Sequence, residues 1–456
     1  MALKHDTGRS RSRAAPMPRW PLYILAVLAV LLAVLGLLRM LPDRQTDDPA
    51  TKPTTEAGDP AAPPETQPDT PAKPDTPTAD GAADTDEVMA EADLLARGYY
   101  YDEALALLEG NDSADAEAKR TEIEGLKAAL VPYTGRYYHV FFHSLIIDTD
   151  LAFDNIGHSA QGYNEWMTTV SEFQKMLPLL LENDFVLYDI TEMVELDANG
   201  KAQPKQILLP EGKKPLVISI DDVNYYDYMK TDGFADRLDV DENGRVVTIV
   251  KNPDGTEQAT YDGDVMPILD SFVIEHPEFS FRGAKGIVAE TGYAGAFGYR
   301  ITDLDWFTPE EQKAMLAKVQ EIGNALRASG WQISSHSYTH NQYWNRLTIT
   351  MDEMAYDTGR WKNEIEPFVG ETNIFISPFG VHFEPDEARF RYLIEEGGFN
   401  IYCPVGSGMN AWFEDDVFYM ERLNLDGYTM IKHPERISKH FFDPALVLDP
   451  ARPPLD

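Results

Sequence analysis

The chain has almost no cysteine: one residue, Cys403, in 456. A single thiol excludes an intramolecular disulfide framework. A small buried apolar role suits Cys403 better than a catalytic one. Positive charge is also scarce. Lys and Arg number 39 against 76 Asp and Glu, for a formal net charge of −37. A surface of that sign repels phosphate backbones, which argues against nucleic acid as a partner. Long apolar runs are few, and the one that stands out is Trp20 to Leu38, 19 residues without a charge. Core-forming material, by contrast, is ample. Hydrophobic residues make up 43% of the chain and aromatics 11%. That suffices for one large domain with accessories, or for two to three domains.

The run at Trp20 is long enough to span a bilayer. Lys4, Arg9, Arg11, Arg13 and Arg19 precede it, and Asp43, Asp47 and Asp48 follow. The positive-inside rule then puts the N-terminus in the cytoplasm and the rest outside. The segment after the run, Leu-Leu-Arg-Met-Leu-Pro, has no small-x-small cleavage site. The expectation is a cytoplasmic basic tail (1–19), an uncleaved transmembrane signal-anchor (20–42) and a single-pass location at the cell membrane, with the later domains extracellular. Residues 43–86 are rich in Pro, Thr and Asp, cannot form a core, and read as a disordered linker.

Residues 87–130 read as a helical hairpin or a three-helix piece, similar to one tetratricopeptide unit. One unit alone is too few for an independent array, so a docked appendage is expected. From 134 to 445 the pattern is strand and helix in alternation. Strand segments include Tyr137–His143, Pro215–Ile220, Gly283–Ala289, Trp331–Ser334, Asn373–Ser377 and Phe399–Cys403. Helices with apolar period lie between them, including Thr308–Ser329 behind a Thr-Pro-Glu-Glu start signal. This order predicts an α/β fold with a parallel sheet or (β/α) barrel, with polar residues at strand C-termini. Two turn signals, at Asp241–Gly244 and Pro253–Gly255, set off a β-hairpin insertion over 237–264. Val250 stands where a calcium loop would need Glu, so a plain turn is preferred there.

Chemistry concentrates in Ser219-Ile220-Asp221-Asp222 and Ser335-His336-Ser337-Tyr338-Thr339-His340. Two His at i and i+4 can point the same way from one helical turn. Two neutral imidazoles and a carboxylate make an open site for a divalent metal, and a second carboxylate beside it can act as a base. Each pair alone has a bland reading as a solvated turn or satisfied imidazoles. Both at strand ends of a parallel α/β pattern argue for a site.

At these residues the chain resembles the polysaccharide deacetylase family, the carbohydrate esterases with a NodB-homology domain, over about 137–435. Val140–Ser144 resembles the family's early strand, and Ile218–Asp222 its Thr-Phe-Asp-Asp motif. Ser335–His340 matches its His-Ser/Thr-x-x-His motif in full, and Phe375–Gly380 resembles its Pro-aromatic-Gly turn. The resemblance implies a distorted (β/α) barrel, preceded here by the transmembrane helix, the disordered linker and the small helical hairpin. It implies a divalent metal, zinc with cobalt or nickel as fits, held by Asp222, His336 and His340, with Asp221 as general base. The substrate it implies is an acetylated polysaccharide of the peptidoglycan or poly-N-acetylglucosamine kind.

Three positions depart from the family's pattern. Val223 replaces the Gly after the Asp pair. Ile376 replaces the Arg that orients the catalytic Asp, a role for which Arg422 is the candidate. The late Leu-x-His motif is matched loosely by Ile431-Lys432-His433, with His433 the candidate acid. These departures leave two other readings open: a catalytically inactive glycan-binding protein, or a membrane-tethered scaffold working through 87–130. For His139 and His143, ordinary strand packing is the preferred reading. Tyr225, Tyr226, Trp331 and Phe379 are candidates for stacking on sugar rings if exposed.

Overall fold

A computed structural model describes residues 85–154, 160–198, 200–252, 254–302 and 304–455. Three helices come first: α1 (Thr85–Arg97), α2 (Tyr101–Leu107) and α3 (Ala114–Ala128). Ser113 caps α3 by accepting from the Ala116 amide. Ala92, Ala104 and Ala116 are fully buried, small side chains that let the helices approach closely. The piece docks on residues 278–282. Tyr99 donates to the Glu278 carbonyl (2.9 Å) and packs on Phe281 (5.0 Å between centroids). Arg282 pairs with Glu103 (2.6 Å) and Arg97 with Glu278 (2.7 Å).

The strands that matter follow in order: β1 (Tyr138–Phe142), β2 (Phe185–Leu187), β3 (Lys214–Ile220), β4 (Arg237–Val240), β5 (Val246–Lys251) and β6 (Glu257–Thr260). Then come β7 (Ile287–Glu290), β8 (Gln332–Ser335), β9 (Ile374–Ile376), β10 (Ile401–Cys403), β11 (Ala411–Glu414), β12 (Val417–Met420) and β13 (Leu423–Asn424). The main sheet has ten strands in the order β11-β12-β10-β9-β8-β7-β3-β1-β13, with β2 also on β3. Every pair is parallel except β11 with β12. Burial on both faces explains the near-continuous apolar runs. In β3, Leu216, Ile218 and Ile220 join the core under the helices, whereas Val217 joins Ile287, Ala289, Ile374, Ile376, Ile401 and Cys403 on the inner face.

The outer layer includes α4 (Val170–Glu182), α5 (Val265–Glu275), α6 (Pro309–Ala328), α7 (Met351–Glu364) and α8 (Ala388–Glu395). Capping boxes open α4 at Thr169/Glu172, α6 at Thr308/Glu311 and α7 at Thr350/Glu353. The stretch 237–264 holds β4, β5 and β6 as a three-stranded antiparallel meander, one strand more than a hairpin. Asp241 accepts from the Asn243 and Arg245 amides, as in an ordinary side-chain-capped turn.

Two expectations are corrected. The distorted barrel becomes a curled half-barrel sheet. The stretch from Val417 to Asn424 pairs first with β10 and then with β1, changing partner near Arg422, where a single bridge joins it to Val405. The hydrogen-bonded order therefore ends at β13 instead of closing as one ladder.

The expected membrane-spanning segment 20–42 lies outside the described residues, as do the basic tail and nearly all of the linker. Among the described residues no helix is long and apolar enough to cross a membrane. Among the described residues the one helix of bilayer length, α6, has 20 residues and buries only Val319, Ile322, Gly323 and Leu326, with Glu310, Lys313, Lys318 and Glu321 along it. Among the described residues, then, no helix supports the expected transmembrane helix or the single-pass cell-membrane location.

Candidate functional site

Parallel strands bring their C-terminal ends to one edge of the sheet, where the site lies. β3 ends at Ile220 and delivers Asp221 and Asp222; β8 ends at Ser335 and delivers His336. One ligand atom each from Asp222, His336 and His340 lies within 4.8 Å of the others. Among the described residues this is the one such cluster. The donor set fits a divalent cation: one carboxylate and two imidazoles, with room for further ligands.

The surroundings prepare each ligand. His336 is 2% exposed, and its Nδ1 lies 2.8 Å from the Ile376 carbonyl. A carbonyl only accepts, so Nδ1 carries the proton and Nε2 is left with its lone pair. Burial pushes this imidazole down to about 4, against the pull of Asp221 and Asp222. Asp222 sits at φ 56°, and its Oδ1 accepts from the Thr291 hydroxyl (2.5 Å) and the Tyr226 phenol (2.7 Å). Burial alone would raise its carboxyl, but His340 and His336 hold it well below the ordinary range. His340 packs against Phe379 at a tilt of 37°, with 4.3 Å between ring centroids.

The two His do not share a helical turn as their spacing suggested. Residues 336–341 form an irregular loop with Ser337 at φ 65° and His340 at φ 41°. Asp357 on α7 holds it by accepting from the Tyr338 and Thr339 amides (2.7 and 2.8 Å) and the Thr339 hydroxyl (2.5 Å). The Ser337 hydroxyl accepts from the His340 amide (3.0 Å).

Asp221 stands beside the triad, 4% exposed, with Oδ2 3.8 Å from His336 Nε2. Its Oδ1 accepts from Arg422 Nη1 at 2.6 Å. Arg422 is fully buried, lies over the Phe141 ring (4.2 Å), and also donates to Ser219 Oγ (3.2 Å) and the Cys403 carbonyl (3.2 Å). Burial pushes the Asp221 carboxyl up, but Arg422, His336 and His143 together outweigh it and hold the group below the ordinary range.

No protein-family model, curated protein or solved structure matches this chain. The hydrolase and polysaccharide deacetylase assignment carried by the resemblance thus has no support from known proteins. What the structure holds is a triad able to bind a divalent cation and a carboxylate beside it, with no relative to name the metal.

The departures have local explanations. Val223 is fully buried in the core under the helices, a place where a Gly would leave a void. Ile376 serves through its carbonyl, which orients His336, while the guanidinium comes from Arg422 just before β13. His433 has its own local contacts. Its ring lies edge-on to Tyr428, and its Nδ1 is 3.6 Å from Glu435.

Strand register brings in a residue the sequence reading set aside. Phe142 pairs with Ile220, so His143 follows in register with Asp221 on the neighbouring strand. Its charge acts on Asp221, Asp222 and Asp426, and its Nδ1 is buried without a partner. The available signal was its position: a polar side chain just past an apolar strand. His139 is a buried neutral imidazole; its Nε2 meets Ser219 Oγ at 3.0 Å, and burial with Arg422 pushes it well below the ordinary value. Cys403 is fully buried, and burial pushes its thiol up to about 12, an inert position.

Proposed function

We propose that this protein catalyses metal-dependent removal of acetyl groups from an acetylated polysaccharide of the peptidoglycan or poly-N-acetylglucosamine kind. The observation that carries the reading is the convergence of Asp222, His336 and His340 beside an Arg422-held Asp221. Zinc is the proposed cation, since two imidazoles and one carboxylate suit it; cobalt and nickel fit the same donors. When bound, such a cation supplies Lewis acidity to an acetyl carbonyl and to a water.

The chain's own groups do the rest. Arg422 fixes one oxygen of Asp221 and keeps the carboxylate ionised, so Oδ2 is the atom free to accept a proton from the attacking water. Water oxygen bonds to the carbonyl carbon, the carbon–nitrogen bond breaks, and acetate leaves. The departing amine needs a proton, and His143, beside Asp221 in register, is the group we assign to deliver it. The reading of a silent glycan-binding domain drew on Val223, Ile376 and the loosely matched acid motif at His433. It loses weight once Val223 is a packing residue and Arg422 holds Asp221.

The test is acetate release from N- and O-acetylated polysaccharides by the zinc-loaded chain. Wild type releases acetate; Asp222→Ala and chelation each abolish release. His143→Gln lowers kcat by about 10²–10⁴-fold with zinc affinity unchanged. Release by Asp222→Ala at the wild-type rate would sink the reading.

A further inference from the structure

The segment that leaves Asp222 carries three tyrosines with different surroundings. Tyr225 is buried and donates to Asp264 (2.7 Å). Tyr226, 9% exposed, donates to Asp222. Tyr228 is 44% exposed and lies parallel to Tyr226, with 5.4 Å between centroids and 6° between planes. Tyr293, from the loop after β7, is 47% exposed and also stacks on Tyr226, at 5.9 Å and 21°.

The two loops are tied into one unit. Asn224 donates to the Thr291 and Gly295 carbonyls (2.7 Å each) and accepts from the Thr291 amide (3.0 Å). Arg300 donates to the carbonyls of Asn224, Tyr225 and Ala294 (2.9, 2.8 and 2.8 Å). Two half-exposed rings thus rest on Tyr226, itself part of a buried cluster with Met229, Phe234 and Ala294, on loops tied together beside Asp222.

We propose that Tyr228 and Tyr293, seated on Tyr226, form a stacking subsite for the C–H face of a neutral pyranose ring adjacent to the acetyl group being removed. The proposal rests on the deacetylation reading for its substrate class. The occupant follows from charge and ring chemistry. The faces of aromatic rings are electron-rich and attract polarised C–H groups. Asp222 lies beside the stack through Tyr226, and Asp227 is paired with Arg300 and Lys230, in a chain of net charge −37; this disfavours an anionic ligand such as a nucleotide or a phosphorylated headgroup. A sugar ring presents an apolar face and a hydroxyl rim, matching rings that end in phenol groups. Tyr226 also sets the spacing: its hydroxyl is on Asp222 and its ring is in the stack, so a ring bound there is offset from the reacting group by one phenol.

The probe is a β-1,4-linked N-acetylglucosamine tetrasaccharide, titrated calorimetrically into the metal-free full chain so that no turnover occurs. Wild type binds. Tyr228→Ala and Tyr293→Ala each weaken binding up to about tenfold, and Tyr228→Phe stays within about twofold of wild type. Both positions are exposed, so equal melting temperatures certify the fold. Ala variants that bind as wild type does, or a wild type that ignores the probe, overturn the subsite. Acetate release is measured separately on zinc-loaded protein. Ring-dependent binding without acetate release leaves the subsite and removes the deacetylation reading. Release with unaltered KM in both Ala variants does the reverse.

Discussion

At Asp221 two large effects oppose each other. Burial disfavours its charge and is the largest single effect; Arg422 at 2.6 Å favours it and, joined by His336 and His143, prevails. The folded value is therefore depressed. Stability from this group is present above the ordinary carboxylate value near 4 and is lost as pH falls below it. Arg422→Met removes the pull and leaves the burial. The sign then reverses: the unfolded chain ionises first, and stability falls as pH rises through about 4. The variant is expected to lose about 3–5 kcal/mol at neutral pH, because an uncompensated buried charge remains. Urea unfolding of metal-free protein at pH 4.5 and 7.5 checks it, and a wild-type advantage of equal size at both would refute the account. The sequence made Asp221, Asp222, His336 and His340 legible because each sits in a short local motif. Arg422 was reachable only as a candidate, because its partner is 201 residues away. His143 was passed over because only the register of β1 on β3 tells a packed strand histidine from one facing a carboxylate.

At the scale of elements, the strands that build the site were readable where both faces are buried. β3, β7, β8, β9 and β10 all fall within apolar runs. β6 was missed because Glu257–Thr260 is polar and largely exposed, and β13 because two residues carry no period. The histidine loop is the instructive failure. A spacing of four suits a helical turn, yet the backbone amides of Tyr338 and Thr339 donate to Asp357 and not to carbonyls one turn back. Asp357 lies 17 residues after His340 on α7, so no local pattern announces it. It also accepts from Trp344 Nε1 (3.3 Å), pinning the far side of the loop. Removing those acceptors frees His340 to wander from the position that pairs it with His336. Asp357→Ala is expected to weaken zinc binding by about 10–100-fold, the range seen when groups that orient metal ligands are lost. Competition against a chromophoric chelator reads this directly. Unchanged zinc affinity would mean that the ligands hold the loop and not the reverse.

For the whole molecule, the question is what the three N-terminal helices are for. One tetratricopeptide-like unit cannot bury its own apolar face, and here it does not. Ala92, Ala96, Tyr99, Tyr101, Leu108 and Ile123 belong to the same buried cluster as Val186, Tyr188, Ile207 and Leu209, continuous with the inner face of the sheet at Val217, Ile287 and Ile374. The face that a scaffold would offer to a partner is thus already spent on the protein's own sheet. Its contacts fall on Glu278, Phe281 and Arg282, before β7 begins, while the metal ligands sit where strands end. A chain beginning at residue 130 should therefore lose stability without losing its ligands. Each large apolar side chain left uncovered costs about 1.5–3 kcal/mol, so the shortened protein is expected to melt at a lower temperature, bind a hydrophobic dye and self-associate. Its zinc affinity, measured where it remains folded, should stay close to that of the full chain. If it is as stable and monomeric as the full chain, the helices are not part of the core, and a role in binding a partner becomes the better account of 85–128.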